Sequence, residues 1–276
     1  MTPLITANQL EEIINSGENV LICDCRFDLV DPQAGKKSYL EGHIPGAIYV
    51  DLDHDLSGDA TGQNGRHPLP SPEAWALTKT RLGMDSQTLV VAYDNQGSVY
   101  ASRLWWMLKA TGHAKVQVLD GGLDAWNGPI GNLPRQASPA NTPVPAMPYF
   151  GLVLVDEVLA NLESKKYIVV DARASDRFQG QNETLDPVGG HIPGAINYCF
   201  RENLSRKSFK AREQLYQDFV ALLGSVKASE VIHQCGSGVT ACHNMLAMEV
   251  AGLTGSRLYA GSWSEWCADP SRPVAL

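Results

Sequence analysis

One heptapeptide occurs twice in this chain. Gly42-His43-Ile44-Pro45-Gly46-Ala47-Ile48 recurs unchanged as Gly190-His191-Ile192-Pro193-Gly194-Ala195-Ile196, 148 residues later. The surroundings repeat in kind. Leu21 to Arg26 matches Ile168 to Arg173, Leu89 to Asp94 matches Glu230 to Cys235, and Gly121 with Trp126 parallels Gly261 with Trp266. A period this long means two tandem domains rather than a solenoid of short repeats. A chain of 276 residues suits that reading, because single cores seldom grow beyond about 250 residues.

Between the copies, prolines stand at 129, 134, 139, 143, 145 and 148. Such a stretch neither pairs within a sheet nor continues a helix, so it reads as an extended linker. The expected organisation is one domain over residues 1–130, a linker over 131–150 and a second domain over 151–276.

Each copy alternates helix and strand signals. Thr6-x-x-Gln9 is a capping box, and Gly17 ends the helix it opens. Val20 to Asp24 reads as a buried strand. Ser71-Pro72 is an N-cap and a first-turn proline, with the helix running to Gly83. A strand over 88–93, a helix over 99–110 and a strand over 115–119 follow. The second copy gives a helix near 156–162, strands at 167–171, 230–234 and 257–259, and helices at 211–223 and 239–251. The predicted fold class is α/β, with two domains that each hold a parallel sheet flanked by helices on both faces.

The net charge of −8 repels polyanions, so nucleic acid is not an expected partner. No run of apolar residues is long enough to span a bilayer, and the first residues lack a basic and then apolar leader, so neither membrane nor export is expected. The six cysteines are too sparse for a disulfide scaffold. Cys23 and Cys25 have no second ligand pair at zinc spacing. Buried free thiols in a reducing cytoplasm are the expectation.

The segment Val231-Ile232-His233-Gln234-Cys235-Gly236-Ser237-Gly238-Val239-Thr240-Ala241 reads as a strand, a glycine turn and a helix start. Carboxyl ends of parallel strands are where such sheets bind ligands. Glycines let the backbone curl with its N–H groups inward, and with the helix N-terminus these make an anion cradle. A cysteine at its centre is expected to be held as a reactive thiolate. A buried structural cysteine is the plainer alternative, but it needs no such cradle. Protein phosphatases use a similar loop, with an arginine that clamps phosphate. This loop carries no arginine or lysine, which argues against that class.

The Asp-x-Arg strand ends, the twin Gly-His-Ile-Pro-Gly-Ala segments, the Leu119-Asp120-Gly121-Gly122 turn and the cysteine loop together resemble the two-domain rhodanese family. The resemblance implies a rhodanese fold in each half and a catalytic C-terminal half. It also implies an inactive N-terminal half, where Asp94 stands at the cysteine position. Within the family, Cys-Gly-Ser-Gly-Val-Thr is similar to the 3-mercaptopyruvate sulfurtransferase branch, because thiosulfate-preferring members carry basic residues in that loop.

That branch implies a persulfide on Cys235 and an Asp-His-Ser constellation beside it. Here the constellation maps onto Asp53, His67 and Ser237, with Asp51 and Asp55 as substitutes for Asp53. The resemblance also implies Arg177 for the substrate carboxylate, with Gly236, Gly238, Val239 and Thr240 forming the substrate-side backbone. A second family arginine is missing, since Glu183-Thr184-Leu185-Asp186-Pro187 occupies its loop. Arg66 and Arg103 are the candidates to replace it. Arg26, Arg173, His43 and His191 read as structural.

The expected partners are a small anionic sulfur donor and a thiol or cyanide acceptor, with thioredoxin among the thiols. The expected reaction needs no metal or organic cofactor. Thiosulfate sulfurtransferase is the near alternative. A non-catalytic persulfide carrier and a phosphatase are the more distant ones.

Overall fold

A computed structural model describes residues 1–276. By contact the chain divides into two compact units. The first comprises Met1–Ser57, Pro70–Phe150 and Arg206–Phe209, and the second Gly58–Leu69, Gly151–Ser205 and Lys210–Leu276. The division therefore differs from a single break near the proline stretch. Residues 58–69 group with the later half of the sequence.

In the first unit, strands β1 (Leu4–Ile5), β2 (Val20–Asp24), β3 (Ile48–Tyr49), β4 (Leu89–Tyr93) and β5 (Val116–Leu119) form one sheet in the order β1-β5-β4-β2-β3. Every pairing in it is parallel. The second unit repeats the arrangement with β6 (Leu152–Val153), β7 (Ile168–Asp171), β8 (Ile196–Asn197), β9 (Val231–Gln234) and β10 (Arg257–Tyr259), in the order β6-β10-β9-β7-β8. Those pairings are parallel as well.

Local chemistry explains the helices. In α1 (Ala7–Ser16) the Thr6 and Gln9 side chains cap each other's backbone, and Gly17 closes the helix at φ 75°. In α3 (Pro72–Leu82), Ser71 accepts the Ala74 N–H, and Gly83 closes the helix at φ 77°. α4 (Ala101–Ala110) and α8 (Thr240–Ala251) are buried almost all round rather than along one face only. Leu10 and Val91 in the first unit, and Val158 and Ile232 in the second, are fully shielded. Each such side chain contributes about 1.5–3 kcal/mol on burial.

The repeated motif has the same use in both units. Arg26 forks onto Asp24 and donates to Gly42 O at 2.6 Å, while Arg173 forks onto Asp171 and donates to Gly190 O at 2.7 Å. His43 stacks on Tyr39, and His191 stacks on Phe178. Each histidine also bridges a distant strand of backbone, Gly131 for His43 and Ala275 for His191. These four residues lock the turn to the sheet, which accounts for the repeated motif without catalysis.

The proline stretch has little regular structure, yet it is tied down along the first unit. Ala140 N–H donates to Thr80 O, Val144 N–H to Thr80 Oγ1, and Arg135 N–H to the Tyr39 hydroxyl. No helix is long and apolar enough to cross a membrane. Cys23 and Cys25 are buried, and burial raises both thiol pKa values.

Candidate active site

Cys235 follows the last residue of β9, the middle strand of the second sheet, and precedes α8 by a short loop. Its side chain is 2% exposed. The Gly238 N–H donates to Cys235 Sγ at 3.1 Å. Gly238 sits at φ 76°, where a Cβ would fall 2.2 Å from Ala260 O, so the close turn under the sulfur requires glycine. Val239 is buried at the helix entry and Thr240 opens α8, whose N-terminus faces this loop.

The peptide of Cys235 is clamped on both sides by the turn after β10. Cys235 N–H donates to Ser262 Oγ at 3.1 Å, and Trp263 N–H donates to Cys235 O at 3.0 Å. Ser262 itself has φ 56°. In the first unit the corresponding contact is Leu123 N–H to Asp94 O at 2.8 Å. There Gly122 replaces the serine, at φ 58°.

Asp94, at the position of Cys235 in the first repeat, reports what its loop holds. One of its carboxylate oxygens accepts from the Gln96 and Ser98 N–H groups, and the other from Tyr100 and Ala101, all at 2.8–3.0 Å. Burial raises its pKa, and those four amides pull it back. The same strand-turn-helix therefore cradles a negative group in one repeat and the cysteine sulfur in the other.

Residues 58–69 bring two more groups to the second unit. His67 is buried, and its Nδ1 lies 2.8 Å from Ser237 Oγ. Gly65, at φ 90°, allows the loop to pass so close to the helix-turn that a Cβ would meet Gly261 O at 2.8 Å. Arg66 N–H then donates to Ser264 Oγ at 3.0 Å. Asp53 lies in the first unit, on the turn Asp51–Asp55, where its N–H donates to Asp51 Oδ1. Partial burial and the nearby Asp51 raise its pKa. Asp51 also accepts from His54, while Asp55 accepts from the Asp51 N–H and pairs with Arg81. Asp51 is thus engaged within its own turn, and Asp55 both within that turn and with Arg81 of α3.

Arg177 comes from the short helix α6 (Ser175–Phe178) after β7. Its guanidinium binds Glu183 at 2.8 Å and Asp186 at 3.4 Å. Arg66 pairs with the other oxygen of Asp186. A Cβ placed on Gly236 would lie 2.9 Å from Arg66 Nη2 and 3.7 Å from Arg177 Nη1. Two guanidiniums from elsewhere in the chain therefore flank a loop with no cation of its own. Arg103 is buried in the first unit and donates to Leu56 O. Burial raises the Asp186 pKa in spite of Arg66 and Arg177. Burial also opposes ionisation of Glu183, but its hydrogen bonds from Arg177 and nearby amides prevail and lower its pKa.

The structure thus gathers Cys235, Gly236, Ser237, Gly238, Val239, Thr240, His67 and Arg177 within one unit. Ser262 and Asp186 were not foreseen from sequence. Ser262 had a signal, because the first repeat has Gly122 at that turn. Asp186 had none, since an acidic residue beside an anion site reads as a departure.

A family model for the rhodanese-like domain matches residues 6–129 and again 154–269. A probable 3-mercaptopyruvate sulfurtransferase of Pseudomonas aeruginosa is 44% identical over 99% of this chain and 97% of its own. The thiosulfate sulfurtransferase of Bos taurus is 34% identical over 95% of this chain and 91% of its own. Among solved structures, the 3-mercaptopyruvate sulfotransferase SseA of Escherichia coli superposes with a TM-score of 0.80 at 29% identity, covering 95% of this chain and 99% of the other. The chain belongs to the rhodanese-like family, with two such domains in tandem.

Proposed function

We propose that the protein is a sulfurtransferase that takes sulfur from 3-mercaptopyruvate onto Cys235 and passes it to a thiol or to cyanide. The observation that carries this reading is the Cys235 sulfur held at a strand end by the Gly238 amide, in the same loop as a serine hydrogen-bonded to a buried histidine. The full-length relationship to enzymes named for that donor supports it.

In the first step the Cys235 thiolate attacks the donor sulfur. An S–S bond forms and the C–S bond breaks. The electron pair moves onto the three-carbon fragment as the enolate of pyruvate, which takes a proton to leave as pyruvate. Ser237, backed by His67, donates toward the enolate oxygen, and Asp53 is assigned to hold the histidine. The outer sulfur stays on Cys235 as a persulfide anion, stabilised by loop amides and the α8 N-terminus. An acceptor thiolate, of which thioredoxin is the proposed cellular example, or cyanide then attacks the outer sulfur and frees Cys235 as thiolate. No metal or organic cofactor enters either step. Free thiols of this kind suit a reducing compartment, and the cytoplasm is the proposed location.

The test is the intact mass after incubation with 3-mercaptopyruvate, for the wild type and Cys235→Ser. A gain of one sulfur that vanishes in the variant is expected. No gain, or a gain that survives in Cys235→Ser, overturns the reading. Thiosulfate is the second reading, and Arg66 and Arg177 beside Gly236 favour it, because a dianion gains from two cations. A larger kcat/KM for thiosulfate than for 3-mercaptopyruvate would decide in its favour.

A further inference from the structure

Lys79, near the C-terminal end of α3, is a buried cation without a carboxylate. Only 3% of the residue is exposed, and its ammonium makes one hydrogen bond, to Thr111 Oγ1 at 3.3 Å. That hydroxyl also accepts the Trp75 indole N–H at 3.1 Å and donates to Met107 O at 2.8 Å, so it is saturated. An ammonium has three N–H groups, which leaves two of these unmatched. The Trp75 ring, 5.9 Å from Nζ, adds a cation–π contact but no negative charge. Burial pulls the Lys79 pKa down from its ordinary 10.5, and no acid pushes it back. Buried charges are as a rule paired, so this one stands ready for an anion from outside the chain.

Lys79 lines a cleft of about 350 Å³ whose residues all belong to the first unit. That volume suits a small organic ligand. One side of the cleft is apolar, made by the fully buried Met84 and by Pro143, Val144, Pro145 and Met147 of the proline stretch. The stretch is fixed against α3 at the residue after Lys79, since Ala140 N–H donates to Thr80 O and Val144 N–H to Thr80 Oγ1. Gly83 lets it pass, because a Cβ there would meet Ser138 O at 2.5 Å. His113 also lines the cleft, and burial lowers its pKa, so near neutral pH it adds no second cation. Asp85 acts on His113 and not on Lys79, and its Oδ1 is taken up by Gln87 and Thr88.

We propose that this cleft is a binding site for a small amphipathic monocarboxylate, with the carboxylate on Lys79 Nζ and the hydrocarbon part against Met84 and the proline stretch. One unpaired cation calls for one negative charge. The apolar side calls for an organic tail rather than a bare inorganic ion. Asp94 fills the cysteine position of this unit, so a ligand site here gives the first repeat a use other than sulfur transfer.

Isothermal titration of the full chain with sodium butyrate tests this. Binding with a Kd on the order of 1 mM is expected. Acetate lacks two methylenes and should bind about tenfold more weakly. Butylammonium, of similar shape and opposite charge, should not bind. Lys79→Met and Lys79→Gln should each weaken butyrate binding about tenfold or more, the loss of one charge-assisted contact. These variants separate the cleft from any carboxylate binding at Arg177. Lys79→Met removes an unpaired buried charge and should fold with a Tm at or above that of wild type. Should it not fold, Lys79→Gln, which offers an amide to Thr111, carries the same decision. Absence of butyrate binding, an affinity unchanged in the neutral variants, or butyrate no tighter than chloride overturns the proposal.

Discussion

Ser262 Oγ accepts the Cys235 N–H at 3.1 Å while donating to Tyr259 O at 2.9 Å. A side chain at φ 56° is uncomfortable and costs about 1–2 kcal/mol relative to glycine. The first repeat avoids that cost with Gly122. The second repeat accepts it and satisfies the buried amide of its cysteine.

Removing that hydroxyl separates the two effects. Ser262→Ala keeps the strain and orphans the amide, so it should destabilise by about 1–3 kcal/mol. Ser262→Gly orphans the amide too but relieves the strain, and should be the milder change by about 1 kcal/mol. Urea unfolding of both variants checks the order. If Ser262→Gly is the more destabilised, the serine is not held under strain.

The Ser237 hydroxyl and His67 Nδ1 are 2.8 Å apart, so they are expected to act as one unit. Ser237→Ala and His67→Gln should each lower kcat with 3-mercaptopyruvate by about a hundredfold, the usual worth of a placed proton donor. The double variant should be little worse than either single one. Cyanide discharge of the persulfide forms no enolate, and its single-turnover rate should stay within a few fold of wild type. Independent, multiplying losses would show that the two side chains do not work together.

Two neighbouring glycines should respond in opposite ways to alanine. At Gly238 the new Cβ meets Ala260 O at 2.2 Å and its carbon at 3.0 Å, both backbone atoms, in a left-handed conformation. Gly238→Ala should cost about 3 kcal/mol or more and abolish sulfur loading on Cys235. At Gly236 the nearest atom is Arg66 Nη2 at 2.9 Å, the tip of a flexible side chain. Gly236→Ala should fold with nearly the wild-type Tm and show its defect in KM for the donor. Equal Tm losses in the two variants would contradict the packing described for this loop.

Much of this was legible from sequence, because the signals were local. The capping box at Thr6, the Ser71-Pro72 start and the glycine stops at 17 and 83 need only neighbours a few residues away. The long buried strands announced themselves by unbroken apolar runs, and the twin heptapeptide exposed the duplication. The two-residue strands β1, β3, β6 and β8 left no periodicity to read, and they exist only because a parallel neighbour supplies the pairing. The pairing of Arg66 with Asp186 spans 120 positions, so no window along the chain could contain it. The sequence offers Arg66 only as one of two candidates to replace a missing arginine, and Asp186 only as part of the acidic loop that stands in that arginine's place.

His233 is wholly buried in the middle of β9, with Nε2 3.0 Å from Met248 Sδ and no partner at Nδ1. Burial drives its pKa down to about 3 from the ordinary 6.5. The sign follows directly. Between those two values the unfolded chain binds a proton that the folded chain refuses, so the unfolded state is favoured as pH falls. Stability should be intact above about pH 7 and decline through the window below 6.5, by at most about 1.4 kcal/mol per pH unit from this one group. His233→Met fills similar space without a titrating ring. Unfolding free energies at pH 7, 6 and 5 should therefore fall less steeply for the variant than for wild type. Parallel slopes would mean that His233 takes up its proton in the folded state as readily as in the unfolded one.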